Sequence, residues 1–336
     1  SLSSKTRFEM NPLSLNRRTF LGGLSLSVGM PALQTLMAAE SPSLPHFPAK
    51  AKRVIYLMQS GGPSHVDLFD DKETLRKMQG EEMPASILQG LRQTTMTAGQ
   101  KSKPCLASAW AGHRRGESGM WVSDLLPHTA EIVDDLCFVR SLHGEQINHA
   151  PAMTHMLTGH NLPGRPSIGA WLTYGLGSMV DDLPSFVVMT SQDRQGSCGQ
   201  LFFDYYWGAG FLPGKHQGVP FRSSGDPVLY LSNPKGVSRH ARREMLDGLS
   251  EMNQFAHQRY ADPEIETRIA QYEMAFQMQS SVPELTDFSD EPTSVLEMYG
   301  PDVHRKGSYA YNCLMARRLA ERGTRYIQLM HAGWDQ

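Results

Sequence analysis

Four short apolar runs, rich in β-branched and aromatic residues, constrain the fold of this chain more than any other feature. They are Arg53-Val54-Ile55-Tyr56-Leu57-Met58, Leu136-Cys137-Phe138-Val139-Arg140-Ser141, Ser185-Phe186-Val187-Val188-Met189 and Arg325-Tyr326-Ile327-Gln328-Leu329-Met330. Runs this short, apolar at successive positions, suit strands covered on both faces. Helical stretches lie between them. One starts at Ala150-Pro151 and ends near Gly159; others cover residues 242–260 and 265–278, the latter with Asp262 as N-cap before Pro263. A last helix runs from Tyr309 to Glu321 and stops at Gly323, and the final strand follows at once. Alternating β and α segments predict an α/β fold with a largely parallel sheet. Residues 196–237, rich in Gly, Pro, Ser and aromatics, read as long irregular loops.

The N-terminus reads as an address rather than as fold. Asn16-Arg17-Arg18-Thr19-Phe20-Leu21, an uncharged stretch to Met37 and then Ala38-Ala39 resemble the twin-arginine signal of bacteria. The resemblance implies an exported, periplasmic protein and the twin-arginine export machinery as partner. The apolar stretch carries Gly22, Gly23, Gly29 and Pro31 and is shorter than the roughly 20 residues of a bilayer span, so no permanent membrane anchor is expected. The expected organisation is a signal over 1–39, a linker over 40–52 and one α/β domain over 53–336. A net charge of −2, with charges spread along the chain, offers no footprint for nucleic acid. Arg114-Arg115, Arg242-Arg243 and Arg317-Arg318 read as solvated helix faces or ion pairs. The four cysteines lack zinc spacing and read as buried free thiols.

Three polar clusters follow expected strands. The first is Ser60-Gly61-Gly62-Pro63-Ser64-His65-Val66-Asp67-Leu68-Phe69-Asp70, in which His65 and Asp67 share a face if the segment is extended. The second is His143-Gly144-Glu145-Gln146-Ile147-Asn148-His149, at the mouth of a helix whose free amides suit an anion. His155, inside that helix, reads as a packed or capping residue. The third is His331-Ala332-Gly333-Trp334-Asp335, at the carboxyl end of the last strand, where open α/β sheets place ligands. Together the clusters offer nitrogen and oxygen donors for a divalent metal, with zinc, calcium and manganese all open. Gly196-Ser197-Cys198-Gly199 lacks nucleophile-elbow spacing and reads as loop, though a redox role for Cys198 stays open. No P-loop or dinucleotide fingerprint occurs.

The signal, the first cluster, Asn148-His149-Ala150-Pro151, Phe211-Leu212-Pro213-Gly214, Tyr230-Leu231-Ser232-Asn233-Pro234, Gln271-Tyr272-Glu273-Met274-Ala275-Phe276, Ala316-Arg317-Arg318-Leu319 and His331-Ala332-Gly333-Trp334-Asp335 resemble an uncharacterised exported bacterial family. It is known as domain of unknown function 1501 and often labelled sulfatase-like. The resemblance covers nearly the whole chain and implies a relation to the alkaline phosphatase and sulfatase superfamily. The implied fold is a three-layer α/β/α sandwich with a site at the strand ends, here with its C-terminal part missing. The sulfatase motif, Cys or Ser, x, Pro, Ser, Arg, then Leu-Thr-Gly-Arg, is matched by His149, Ala150, Pro151, Ala152 and Met153, then Leu157-Thr158-Gly159-His160. His149 thus holds the nucleophile position, Met153 and His160 hold the arginine positions, and Ser60-Gly61 stands where sulfatases place paired aspartates.

The expected function is therefore metal-dependent hydrolysis of sulfate or phosphate esters on a small molecule or glycan. His65, Asp67, His331 and Asp335 are the candidate metal ligands, and His149 with Asn148 the candidate catalytic pair. The alternative is a non-catalytic exported binding or assembly protein on the same fold, in which aromatics between Tyr205 and Phe211 hold sugar rings or a partner.

Overall fold

The computed structural model describes residues 48–90, 97–191, 201–222, 226–228, 231–260 and 262–334. Residues 1–39, the expected signal, and Cys198 lie outside the described residues, as do Tyr230 and Asp335. Four strands, β1 (Val54–Gln59), β4 (Phe186–Ser191), β5 (Val219–Phe221) and β6 (Tyr326–His331), pair in parallel in the order β1-β6-β4-β5, while β2 (Gly112–Arg115) and β3 (Met120–Ser123) form a separate antiparallel hairpin. The helices of more than two turns are α1 (His149–Thr158), α2 (Ile168–Leu176), α3 (Arg239–Tyr260), α4 (Pro263–Thr286) and α5 (Tyr309–Glu321). Among the described residues no helix is long and apolar enough to cross a membrane.

The last strand in the chain is the central one. In register, Val54, Tyr326 and Phe186 begin three adjacent strands, and Gln59, His331 and Ser191 end them. Successive strand residues point to opposite faces. Val187, Met189, Ile327 and Leu329 accordingly join one apolar cluster with Met278, Val282 and Leu285 of α4 and Leu314, Met315 and Leu319 of α5. Phe186, Val188, Tyr326 and Met330 join a second cluster with Met153 and Leu157 of α1 and with Tyr206 and Trp207. Helix α2 approaches β4 closely because Gly169 carries no side chain; a Cβ there would sit 2.4 Å from the Phe186 ring. The outer strand β1 is less covered, and Val54, Ile55 and Leu57 are 40%, 41% and 52% exposed.

Local sequence sets the helix ends. Asp262 accepts a hydrogen bond from the Glu264 amide at 3.0 Å, capping α4, and Ser308 accepts one from Tyr311 at 2.9 Å, capping α5. After α5, Gly323 takes φ +99°, and the Thr324 amide reaches back to the Leu319 carbonyl at 3.0 Å, turning the chain directly into β6. Helix α4 continues past Met278, where the sequence ends it, and through Pro283, because Val282 and Leu285 are fully buried against α5 and the sheet.

The expected strand over residues 136–141 does not form. This segment follows a 3₁₀ turn (Val133–Asp135) and runs as irregular chain and turn. Leu136 and Val139 are 40% and 58% exposed, and Phe138 packs against Phe69 in a tilted pair at 5.2 Å instead of entering the sheet. The pair Arg114-Arg115 lies on β2 rather than on a helix, and Arg115 makes an ion pair with Asp124 at 3.4 Å. Cys105 is buried as expected, whereas Cys137 is exposed because its expected strand is absent.

Arg318 binds α5 to the chain that follows α4. Only 3% of its side chain is exposed, and it donates to the carbonyls of Glu284, Leu285 and Asp287 at 3.0, 3.0 and 2.8 Å and to Asp290 and Glu291 at 2.9 and 2.6 Å. Burial alone would raise the Glu291 pKa, but hydrogen bonds from Arg317 and Arg318 outweigh it and hold the carboxyl below its usual 4.5. Replacing Arg318 with Met leaves buried carbonyls and a buried carboxylate short of donors, so about 3–5 kcal/mol of stability should be lost in urea unfolding. A loss under about 1 kcal/mol would contradict this role. A carboxyl whose folded pKa lies below its unfolded value stabilises the fold above the unfolded pKa, and that stability disappears as pH falls through the folded value. The wild type should therefore lose stability as pH drops below 4.5, and the Arg318→Met profile should be shallower in that window; parallel profiles would rule the linkage out.

Candidate functional site

The carboxyl ends of β1, β6 and β4 carry the most highly organised polar group among the sequence-derived candidates. The ladder runs one residue beyond the strands: the Ser60 amide donates to the His331 carbonyl at 2.9 Å, and the Ala332 amide to the Ser191 carbonyl at 3.2 Å. Two glycine turns then bend the chain away. Gly61 and Gly62 take φ +111° and +78° after β1, and Gly333 takes +96° after β6, a region that L side chains rarely enter. Beyond Gly333 the Trp334 amide donates to the Ser60 carbonyl at 3.2 Å, so the chain leaving β6 crosses the end of β1.

His331 stands at the centre of this arrangement. Its Nδ1 shares a hydrogen bond of 2.9 Å with Ser191 Oγ, the tautomer deciding which atom donates. Its ring centre lies 4.8 Å from that of Tyr309 and 6.1 Å from that of Trp334, the latter pair edge to face. Asn312 of α5 donates to the Thr190 carbonyl at 3.2 Å and thereby fixes the end of β4 that carries Ser191. Burial raises the Tyr309 pKa and pushes the neighbouring Cys313 thiol up to about 11, although the Tyr309 hydrogen bond opposes the latter, so both groups are neutral at pH 7. Ser60 is fully buried, and its hydroxyl has no hydrogen-bond partner among the described residues; neither has the indole nitrogen of Trp334.

The other candidates occupy different surroundings. His65 and Asp67 belong to a helical turn (His65–Leu68), not to an extended segment, so the two side chains diverge instead of sharing a face. His65 Nε2 lies 3.9 Å from Asp70 Oδ2, with its side chain 75% exposed. Hydrogen bonds from Ser108 and then Ser64 lower the Asp67 pKa, which gives that carboxylate a role in holding the local loops. Asn148 is the N-cap residue of α1, without a side-chain capping bond, and His149 is its first residue; both are exposed. Because residues 136–141 form no strand, this pair follows a loop instead of a strand end. Met153, at an arginine position of the sulfatase motif, is 4% exposed and packs beside Met330, so this position serves the core. His155 is exposed on α1 rather than packed. Tyr206 and Trp207 are buried and cannot offer ring faces to a sugar, whereas Phe211, 67% exposed, meets Trp171 edge-on at 5.7 Å. Among the described residues no three His, Cys, Asp or Glu side chains gather as a metal site requires.

A central histidine between two glycine turns at the strand ends, on a sheet built from both ends of the chain, can be set against known proteins. Residues 51–336 match the family described as Protein of unknown function (DUF1501). The chain belongs to the DUF1501 family. No curated protein and no solved structure matches it significantly. The matched region takes in every strand and helix described above, so in this DUF1501 chain the family region and the α/β unit Arg53–Gln336 coincide.

Ser191 and His331 were not recognisable as a pair in sequence, since 140 residues separate them. Replacing Ser191 with Ala should cost about 1–2 kcal/mol in chemical unfolding and alter the His331 ring nitrogen signals in NMR, because a partly buried ring nitrogen loses its partner. Unchanged stability and unchanged His331 signals would show that the pairing is incidental.

Proposed function

We propose that this DUF1501 chain is an exported hydrolase of sulfate or phosphate esters, built on a sulfatase-like three-layer α/β/α sandwich and acting at the carboxyl ends of β1, β6 and β4. The observation that carries the reading is His331, aligned by Ser191 and Tyr309 at the end of the central parallel strand, where α/β sheets keep their ligands. Apolar clusters on both faces of the sheet support the sandwich. In the proposed reaction a water oxygen attacks the sulfur or phosphorus, the ester bond to the leaving oxygen breaks, and His331 takes the water proton and returns it to the alcohol. Asn148 and His149, exposed at the start of α1, offer a separate helix mouth for an anionic group of the substrate. Among the described residues no three metal-ligating side chains gather, and the candidate ligand Asp335 lies outside them.

Aryl sulfate and aryl phosphate esters, offered to the purified full chain with zinc, manganese, calcium or a chelator, test the reading. Hydrolysis should occur, and His331→Ala should lower kcat by about 100-fold or more with the fold intact. A folded wild type that cleaves neither ester under any of these conditions would sink the proposal. Metal analysis of the same preparation separately tests His65, Asp67, His331 and Asp335 as a ligand set.

One observation favours the second reading, an exported binding or assembly protein. Trp171, Tyr174 and Phe211 are 44%, 42% and 67% exposed and meet edge to face, a surface suited to a sugar ring or a partner. Glycan binding that is lost in Phe211→Ala, in a protein without hydrolytic activity, would favour this reading.

A further inference from the structure

A cavity bounded by described residues lies away from the strand ends, between the β2–β3 hairpin, the segment around Phe138 and the turn after Leu68. It encloses about 580 Å³, within the range of small-molecule sites. Phe69, Trp121 and Phe138 give it aromatic walls, Arg114 and Arg140 line it with guanidinium groups, and the exposed Cys137 opens onto it.

Neither arginine that lines this cavity has a carboxylate to itself among the described residues. Arg114 has the Gly119 carbonyl at 3.0 Å as its hydrogen-bond partner and no carboxylate within ion-pair distance among the described residues. Arg140 shares the Asp70 carboxylate with Lys72, which lies 2.7 Å from it, so one acid faces two cations. Asp71 also lines the cavity, but Arg76 holds both of its oxygens, one of them at 2.9 Å. Arg114 and the doubly shared Asp70 therefore leave guanidinium donor capacity at the cavity, while Asp134 sets a carboxylate against the hairpin loop beside it.

The cavity wall is braced before any ligand arrives. Asp134 accepts hydrogen bonds from the amides of Glu117 and Ser118 at 2.7 and 2.9 Å, fixing the hairpin loop. Gly112 leaves room for the Trp121 ring, since a Cβ there would come within 2.3 Å of it. Such bracing lowers the ordering cost of binding.

We infer that this cavity is a binding site for a small organic anion with an aromatic or other apolar body, its carboxylate, sulfonate, sulfate or phosphate group held by Arg114 and Arg140. Guanidinium groups bind such oxyanions through paired, charge-assisted hydrogen bonds, and the aromatic walls take the body. This goes beyond the proposed reaction and requires no turnover.

The test uses 2-naphthalenesulfonate as probe and 2-naphthalenesulfonamide, neutral at pH 7, as its uncharged counterpart, both titrated calorimetrically into the full chain. The sulfonate should bind at least about tenfold more tightly than the sulfonamide and weaken as salt rises. Arg114→Gln and Arg140→Gln, on separate segments, should each reduce sulfonate affinity about tenfold while leaving the sulfonamide nearly unaffected. Sulfonate should also slow iodoacetamide modification of Cys137, read by peptide mass spectrometry. Equal binding of the two probes, no binding at millimolar sulfonate, wild-type affinity in both folded variants or unprotected Cys137 would each overturn the inference.

Discussion

Strand β6 is the constraint on which the rest of this structure depends. It is paired on both edges, to β1 and β4, and buried on both faces, so the two apolar clusters meet across it. Everything proposed for the strand ends follows from that position. A histidine one residue further into β6 would be enclosed by core, and one further out would lose its register with Ser191; at residue 331 it is half-buried, paired and open to the glycine turns.

The parts of the fold legible in sequence are those in which local composition and tertiary demand coincide. Strands β4 and β6 were legible because parallel strands covered on both faces need unbroken apolar runs, and β1 carries the same kind of run although it is largely exposed. The caps of α4 and the stop after α5 were legible because Asp262-Pro263 and Gly323 act through their own backbone geometry. Residues 136–141 had the same composition as a strand, yet Phe138 found Phe69 outside the sheet, and no local pattern distinguishes the two outcomes. β5 went unseen because it has three residues, including Pro220, which an edge strand tolerates. In the candidate site, His331 was legible from its place after a strand, whereas Ser191 and Tyr309 became visible only through contacts across distant segments. Asn148 and His149 were found as a helix mouth, but the strand expected to deliver them is absent.

Arginine has three different roles in this molecule. Arg318 is dehydrated and satisfied by carbonyls and carboxylates, so it holds structure. Arg243 makes a two-bond pair with Glu273, at 2.8 and 2.6 Å, that joins α3 to α4. Arg114 has a carbonyl and, among the described residues, no acid, and it borders a cavity. Adjacent arginines in sequence therefore say little about function until their counter-charges are known.

The strand order has a consequence for biosynthesis. A ribosome delivers β1 first and β6 last, so until residue 331 emerges the nascent chain holds β1 and β4 with a vacant lane between them. Neither strand can close on the other without displacing the place of the third, and both present unpaired amides and carbonyls in the meantime. Joining of β1 to β4 therefore waits until residue 331 has left the ribosome.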